Sequence, residues 1–128
     1  MKLSLSRRVN ESYLEEVTSI FYYNPKQATL IDRIVCLVDR YGEPRISVVE
    51  GCIEMKLEKE KGSFGLFVSK GPKLVAVAVC VERDSGIEIV HMTTNTKIRS
   101  KKFVRVLPAL IIEQLSASDG CRVSFGYL

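Results

Sequence analysis

Residues 63–94 read SFGLFVSKGPKLVAVAVCVERDSGIEIVHMTT and hold three successive runs rich in apolar and β-branched residues. The three runs are Ser63–Ser69, Leu74–Glu82 and Ile87–Thr94. A short glycine-containing turn separates each run from the next, around Gly71 and again at Gly86. Strand-forming runs joined by tight turns predict an antiparallel meander. We expect this meander to form the centre of the fold.

On the N-terminal side of the meander, the pattern changes from strand to helix. Lys2–Ser6 alternates apolar and polar residues and predicts a short strand. Asn10 is a typical N-cap, and the apolar residues after it recur at helical spacing, so we expect a first helix over Glu11–Phe21. A second helix is predicted to begin at Asn24-Pro25, with proline at the first helical position, and to end just before Gly42.

Residues 46–61 fit two interpretations. Ser47 followed by Glu50 resembles a capping box, and the segment is rich in the helix-forming residues Glu, Lys, Met and Leu. Three of its apolar residues also alternate with charged ones, as they would in a strand: Ile53, Met55 and Leu57. We favour the helix.

On the C-terminal side, Lys102–Leu115 predicts a strongly apolar helix. Pro108 is expected within roughly its first turn, where a missing N–H does little harm. A last strand is predicted over Cys121–Leu128. The whole order predicts an α+β fold in which helices pack on a mixed, mostly antiparallel central sheet.

Length and composition limit the classes of protein. The chain has 128 residues, of which 46% are hydrophobic and 27% are charged. These values fit a single globular domain over 1–128 and exclude a mostly disordered chain. No apolar run approaches the ~18 residues of a membrane span, and the N-terminus lacks the apolar core of a signal peptide. We therefore expect a soluble, cytoplasmic protein with no membrane partner.

The cysteines argue against a metal site. They lie at positions 36, 52, 80 and 121, and His91 is the only histidine. Structural zinc sites use Cys and His ligands that are commonly paired at short spacing. The wide spacing predicts reduced, mostly buried thiols and no bound metal.

The positive charge is concentrated in the last third of the chain. The formal net charge is +4, and residues 1–92 contribute nothing to it because their acids and bases balance. Five of the six cations of residues 93–128 lie within Lys97–Arg105, which we call the basic segment. Such a cluster favours a phosphate-bearing partner, although it also fits a solvated helix start.

The ordered segments resemble the GNAT superfamily of acyl-CoA-dependent N-acetyltransferases. Residues 2–17 resemble the family's first strand and helix, residues 64–94 its second to fourth strands, and residues 95–128 its signature loop, the following helix and the fifth strand. This resemblance implies a GNAT-like fold. It also implies acetyl-CoA or another acyl-CoA as the donor and an amine as the acceptor.

The resemblance implies a cofactor-binding loop before the last helix. The family's loop reads Gln/Arg-x-x-Gly-x-Gly/Ala, and the helix N-terminus behind it binds the diphosphate of coenzyme A. Only Arg99 keeps the family's residue, since Lys102 and Val104 stand where the loop has small ones. Cationic side chains would then hold phosphate by charge rather than by close backbone approach. The loop positions carried over are Arg99, Ser100, Lys101, Lys102, Phe103 and Val104.

The resemblance also implies an acyl site on the third strand of the meander. In the family, the pantetheine arm pairs with exposed backbone at the end of this strand, which here holds Met92 and Thr94. The acceptor amine is deprotonated in many members by a glutamate on the same strand. Glu88 is the carboxylate inside this strand, and His91 is the group that titrates near neutral pH, so both are candidate catalytic residues.

Compared with the family, the sequence ends after the fifth strand and has no further helix and strands. The expected exposed edge of that strand favours a homodimer, because an unpaired edge tends to associate. Two alternatives to an active N-acyltransferase therefore stay open. One is a catalytically inactive GNAT-like protein-binding or assembly module. The other is nucleic-acid binding through the basic segment.

Overall fold

The computed structural model describes residues 2–22 and 37–126. Within these ranges it has eight strands, three helices and one short 3-10 turn over Glu11–Tyr13. Residues 37–41 are helical and are labelled α2. The other elements, in chain order, are β1 (Ser4–Ser6), β2 (Val9–Asn10), α1 (Leu14–Phe21), β3 (Pro44–Val49), β4 (Cys52–Leu57), β5 (Ser63–Lys70), β6 (Lys73–Arg83), β7 (Gly86–Thr94), α3 (Lys101–Asp119) and β8 (Val123–Phe125).

The strands form two sheets. The main sheet has the order β1-β5-β6-β7-β8, in which the pairs are antiparallel except for the parallel pair β7–β8. A second, antiparallel sheet has the order β2-β4-β3. The predicted meander is confirmed as β5–β6–β7, and so is the predicted α+β class with a mostly antiparallel sheet. The second sheet is an addition to the prediction.

The main sheet buries apolar residues on both faces. On one face, Leu107 and Ile111 of α3 pack with β5, β6 and β7. On the other face, Val17 of α1, Tyr41 of α2 and Met55 of β4 pack against the same strands. Strand β6 lies in the middle and is buried on both faces, which explains its nearly continuous apolar run.

The helix favoured for residues 46–61 is wrong, because this segment forms the hairpin β3–β4 and the start of the next loop. Glu50 and Gly51 join the two strands with φ angles of 52° and 77°. Two consecutive residues with positive φ are typical of the two-residue turns that match the twist of a hairpin. The alternation decides the outcome, since Ile53, Met55 and Leu57 point into the core and are at most 3% exposed.

The helices follow the predictions more closely. The predicted first helix is a 3-10 turn followed by α1, and the Asn10 side chain accepts a hydrogen bond from the Ser12 N–H at the start of the turn. The end of the second helix is confirmed, because α2 stops before Gly42, whose φ is 82°. Its predicted start at Asn24-Pro25 lies outside the described residues.

Helix α3 is longer than predicted and runs from Lys101 to Asp119. Pro108 is therefore inside the helix and not in its first turn, so the prediction for this residue is wrong. A proline at this position cannot donate to the Val104 carbonyl, and the hydrogen-bond ladder has a gap there. The predicted last strand is shorter, β8 over Val123–Phe125, and the two residues after Gly126 lie outside the described range. No helix in the described ranges is both long and apolar enough to cross a membrane.

Candidate functional site

The described part of β8 pairs with the first half of β7, and we call the end of this pairing the fork. Their register pairs Ile87 with Val123 and Ile89 with Phe125. Next, the Gly126 N–H donates a hydrogen bond of 2.9 Å to the Ile89 carbonyl, and the described ladder ends there. A β-bulge lies at the same level, because Ile89 pairs with Cys80 of β6 whereas His91 pairs with Val79. A bulge bends its strand and increases the local twist.

The second half of β7 turns one edge towards this fork. The Asn95 N–H donates to the Val75 carbonyl of β6 over 2.9 Å, so the backbone of Asn95 faces β6. Backbone groups alternate along a strand. Those of Met92 and Thr94 therefore face the opposite edge, on the side of β7 where β8 lies. These are the two positions that the family resemblance implied for the acyl arm.

The loop between β7 and α3 is held by one buried side chain. The Asn95 Nδ2 donates to the Leu74 carbonyl over 2.9 Å, and its Oδ1 accepts from the Lys97 N–H over 2.9 Å. Ser100 then caps α3, and its Oγ accepts from the Phe103 N–H over 3.1 Å. The first turn of the helix thus has a defined position next to the end of β7.

The start of α3 faces solvent with a group of cations around it. The side chains of Arg99, Lys101 and Lys102 are exposed. The first N–H groups of a helix have no acceptor within the helix, so its positive end adds to this charge. Lys70, at the end of β5, also reaches the first turn, with its Nζ 5.1 Å from the centre of the Phe103 ring.

Two residues of the predicted loop point elsewhere. Phe103 is only 8% exposed and belongs to the core under α3, so its ring packs inside the protein. Val104 is half-buried. Among the predicted loop residues, the charged side chains and Ser100 are the ones at the surface.

Glu88 lies at the fork of β7 and β8 and is part of a polar cluster. Its Oε1 accepts a hydrogen bond of 3.3 Å from the Tyr41 hydroxyl at the end of α2. The Arg83 Nη2 donates to the same hydroxyl over 3.3 Å and lies 4.0 Å from the Glu88 Oε1. The carboxylate also lies over Gly126, where an added Cβ would be 2.7 Å from Oε1. The Glu88 side chain is 28% exposed, so it is held in place but reachable from solvent.

His91 has a different environment. It is 1% exposed, and its ring lies edge-on to Phe21 of α1, with the ring centres 5.8 Å apart. It therefore lies inside the core between α1 and the sheet. The structure brings Glu88, but not the His91 ring, to the surface at the fork.

The cysteines within the described ranges are free thiols. Cys80 is buried, and Cys52 and Cys121 are half-buried. Burial raises the pKa of the Cys80 thiol to about 12. In the part of the chain that the structure describes, no group of three or more His, Cys, Asp or Glu residues is arranged to hold a metal ion.

Comparisons with known proteins give one weak similarity. No protein-family model matches the sequence, and a comparison with curated proteins finds no match. Among solved structures, the chain is similar to a GNAT family acetyltransferase from Staphylococcus aureus, at 15% identity and a TM-score of 0.46. The match covers 100% of this chain and 93% of that protein. At this level of similarity the function of the chain has to come from its own residues.

Some residues of the site were not found from the sequence. Tyr41 lies 47 residues before Glu88 in the chain, and Arg83 lies five residues before it. No sequence motif links the three residues. Gly126 could have been noticed as a glycine inside a predicted strand, since such glycines often mark a close approach. Lys70 precedes the turn at Gly71, and no sequence pattern there connects it with the start of α3.

Proposed function

We propose that this chain is an acyl-CoA-dependent N-acyltransferase, with the acyl-bearing arm of the donor along the edge of β7 beyond Ile89. One observation carries the proposal: the Glu88 carboxylate lies over Gly126, on the same strand whose Met92 and Thr94 backbone groups face away from β6. An extended arm can add to such a strand edge through main-chain hydrogen bonds. Met92 lies on this edge, and Thr94 follows it towards α3.

The start of α3 would bind a diphosphate through contacts that differ from those of the family's loop. The family's small loop residues let backbone approach the phosphates closely, whereas Lys102 and Val104 are larger. The Lys102 side chain is exposed, whereas Val104 is half-buried. Arg99, Lys101 and Lys102 would hold the diphosphate through charge-assisted hydrogen bonds, together with the N–H groups of the first turn.

The distance between Glu88 and the start of α3 also fits a long donor molecule such as acyl-CoA. Glu88 and Thr94 are six residues apart on one strand, which corresponds to about 20 Å at ~3.3 Å per residue. The diphosphate end and the reacting end would therefore lie at opposite ends of β7. An extended arm along the strand edge connects them.

The donor supplies an acyl group activated as a thioester, and Glu88 supplies a proton acceptor. We assign this role to Glu88 in preference to His91, because Glu88 is at the fork whereas the His91 ring is in the core. The Glu88 carboxylate, directly or through a water molecule, takes the proton that the amine loses during transfer. Tyr41 and Arg83 fix the position of this carboxylate, and Tyr41 acts as a positioning residue.

Calorimetric titration with acetyl-CoA tests the donor site. We expect saturable binding that weakens by about 1–3 kcal/mol in the double variant Lys101→Ala/Lys102→Ala, because two charge-assisted contacts are lost. The variant Lys56→Ala/Lys61→Ala is a matched control, since it removes two lysines from a groove beside β4 and β5. Absence of binding at millimolar acetyl-CoA would overturn the proposal.

Steady-state kinetics test the role of Glu88. The variant Glu88→Gln keeps the shape of the side chain but removes the proton acceptor, so kcat should fall about 100-fold or more. Its affinity for acetyl-CoA should stay unchanged, because the carboxylate is far from the start of α3. A variant with unchanged kcat would move the role to another group, and His91→Gln is then the next variant to measure.

The basic segment favours nucleic-acid binding as a second candidate function. Lys70 adds a cation from another strand to those at the start of α3, so the charged surface is wider than the segment itself. Binding of an RNA oligomer whose affinity falls steeply with salt, without any acetyl-CoA binding, would support this candidate. A chain that binds neither ligand but forms a stable complex with itself would instead support the assembly module.

A further inference from the structure

A small cleft adjoins Glu88 at the fork. It has a volume of about 110 Å³ and lies between the β6–β7 turn and the start of β8. Glu88 forms one wall, and its partner across the ladder, Ser124, lies on the same wall. The other polar lining residues are Arg83, Ser85 and Arg122.

The charges in this cleft have an uneven distribution. Two guanidinium groups, from Arg83 and Arg122, share the cleft with the single carboxylate of Glu88. Arg83 is partly engaged with Tyr41 and Glu88. Arg122 is exposed, and no carboxylate of the described chain lies within 4.0 Å of it. Arg122 therefore offers a group that can bind an anion next to the proton acceptor, and Glu82 and Asp84 line the adjoining groove.

On the basis of the proposed function, we infer that the acceptor is a small amine that also carries a carboxylate, such as a free amino acid. Its amino group lies beside Glu88, and its carboxylate is held by Arg122 and Arg83. Guanidinium groups recognise carboxylates through paired, charge-assisted hydrogen bonds. The amine nitrogen and the carboxylate carbon of an α-amino acid are bonded to the same carbon. This short separation suits charges that face each other across a narrow cleft.

The size of the cleft agrees with a small charged group. Its volume of about 110 Å³ is well below the roughly 300–1,000 Å³ of pockets that bind drug-sized ligands. That volume accommodates a carboxylate with its neighbouring carbon. It is too small for a nucleoside or a folded peptide segment, so a larger acceptor would insert only this end.

The reaction balances with the donor already named. The amine nitrogen forms a bond to the acyl carbonyl carbon, and the carbon–sulfur bond of the thioester breaks. The sulfur leaves with the electron pair of that bond. The proton lost by nitrogen passes to Glu88 and then to the sulfur, so the products are the N-acyl amino acid and free coenzyme A.

Paired acceptors test the inference in an assay of thiol release from acetyl-CoA. L-alanine is compared with L-alaninamide, and L-glutamate with its α-amide, at equal concentrations of the unprotonated amine. We expect kcat/KM to be at least about tenfold higher for each acid than for its amide, because only the acid pairs with the guanidinium groups. Equal values, or a preference for the amides, would overturn the inference.

The variant Arg122→Ala connects the preference to the cleft. We expect it to raise KM for L-alanine about tenfold and to leave the constants for L-alaninamide unchanged. The variant Arg45→Ala is the matched control, because Arg45 is an exposed arginine on β3 that pairs with Glu58. If Arg122→Ala affects acid and amide alike, the cleft does not read the carboxylate and the inference fails.

A measurement without donor separates this inference from the proposed function. Backbone amide resonances of Gly86, Arg122 and Ser124 are followed by NMR while L-alanine or L-alaninamide is added to the protein alone. Saturable shifts with L-alanine only would support the cleft as an amino-acid site, even if acetyl-CoA does not bind. Absence of shifts with L-alanine would overturn the inference, even if acetyl-CoA binds and other amines are acylated.

Discussion

The Tyr41 hydroxyl donates a hydrogen bond of 3.3 Å to the Glu88 Oε1, and this contact joins the end of α2 to β7. Tyr41 is 6% exposed, so its ring is fixed by packing before the hydroxyl meets the carboxylate. Arg83 contacts the same hydroxyl from the end of β6. Three elements thus converge on the group that we propose to accept the proton.

The variant Tyr41→Phe tests this arrangement. It removes the hydroxyl but keeps the buried ring, so the free energy of unfolding should fall by about 1 kcal/mol. We expect kcat to fall about 3–10-fold, while KM for acetyl-CoA stays constant, because a less well-held carboxylate affects the transfer step and not donor binding. Urea denaturation and steady-state kinetics measure the two effects. A purely structural role for Tyr41 would lower stability and leave kcat unchanged.

The variant Gly126→Ala tests the close approach at the fork. The new Cβ would lie 2.7 Å from the Glu88 Oε1 and 2.9 Å from its Cγ, so the carboxylate has to move. We expect kcat to fall about 10–100-fold with little change in stability, since the side chain that must shift is flexible and partly exposed. In the background Glu88→Ala nothing remains to be displaced, and Gly126→Ala should have no further effect. An equal effect in both backgrounds would show that Gly126 acts in another way.

The backbone conformation of Glu50, in the turn between β3 and β4, predicts that a substitution at this position stabilises the protein. Glu50 has a φ of 52°, a conformation that asparagine and glycine adopt more readily than glutamate. The variant Glu50→Asn should raise the free energy of unfolding by about 0.5–1 kcal/mol. Glu50→Gln removes the same charge without this conformational advantage and is the control. Equal urea midpoints for the two variants would contradict the role assigned to the turn.

Cys80 should resist thiol reagents in the folded protein. With a pKa of about 12, about one Cys80 in ten thousand is a thiolate at pH 8. We expect Ellman's reagent to label the half-buried Cys52 and Cys121 faster, with mass spectrometry of the digested protein assigning each site. Rapid labelling of Cys80 under native conditions would contradict its burial.

The same pKa has a consequence for stability at alkaline pH. The Cys80 thiol ionises more readily in the unfolded chain, where the ordinary pKa is 9.0, than in the folded protein, where it is about 12. The stability that the protein owes to the un-ionised Cys80 thiol is therefore fully present below pH 9. It is lost as the pH rises towards 12. Between pH 8 and pH 10.5 the loss should be up to about 2 kcal/mol. The urea midpoint of Cys80→Ala should fall less over this interval than that of the unchanged protein.

Local patterns predicted the main elements because the physical cause of each lies within a few residues. The meander follows from β-branched runs with glycine turns between them, and its strands β5, β6 and β7 agree with the predicted bounds within one residue. Gly42 ends α2 because it is in the left-handed region that glycine adopts without strain. Residues 46–61 had a helical composition, yet they form a hairpin because burying three alternating apolar residues outweighs the small differences in intrinsic propensity.

The sequence by itself determined which residue types were available for chemistry: a basic helix start, a carboxylate in a central strand and a glycine in the last one. Tertiary structure alone decided which of them meet. The pairing of β8 with β7 brings Gly126 to Glu88, and the packing of α2 brings Tyr41 to the same carboxylate. Contacts between residues far apart in the chain depend on how sheets twist and helices pack, and no short stretch of sequence contains that information.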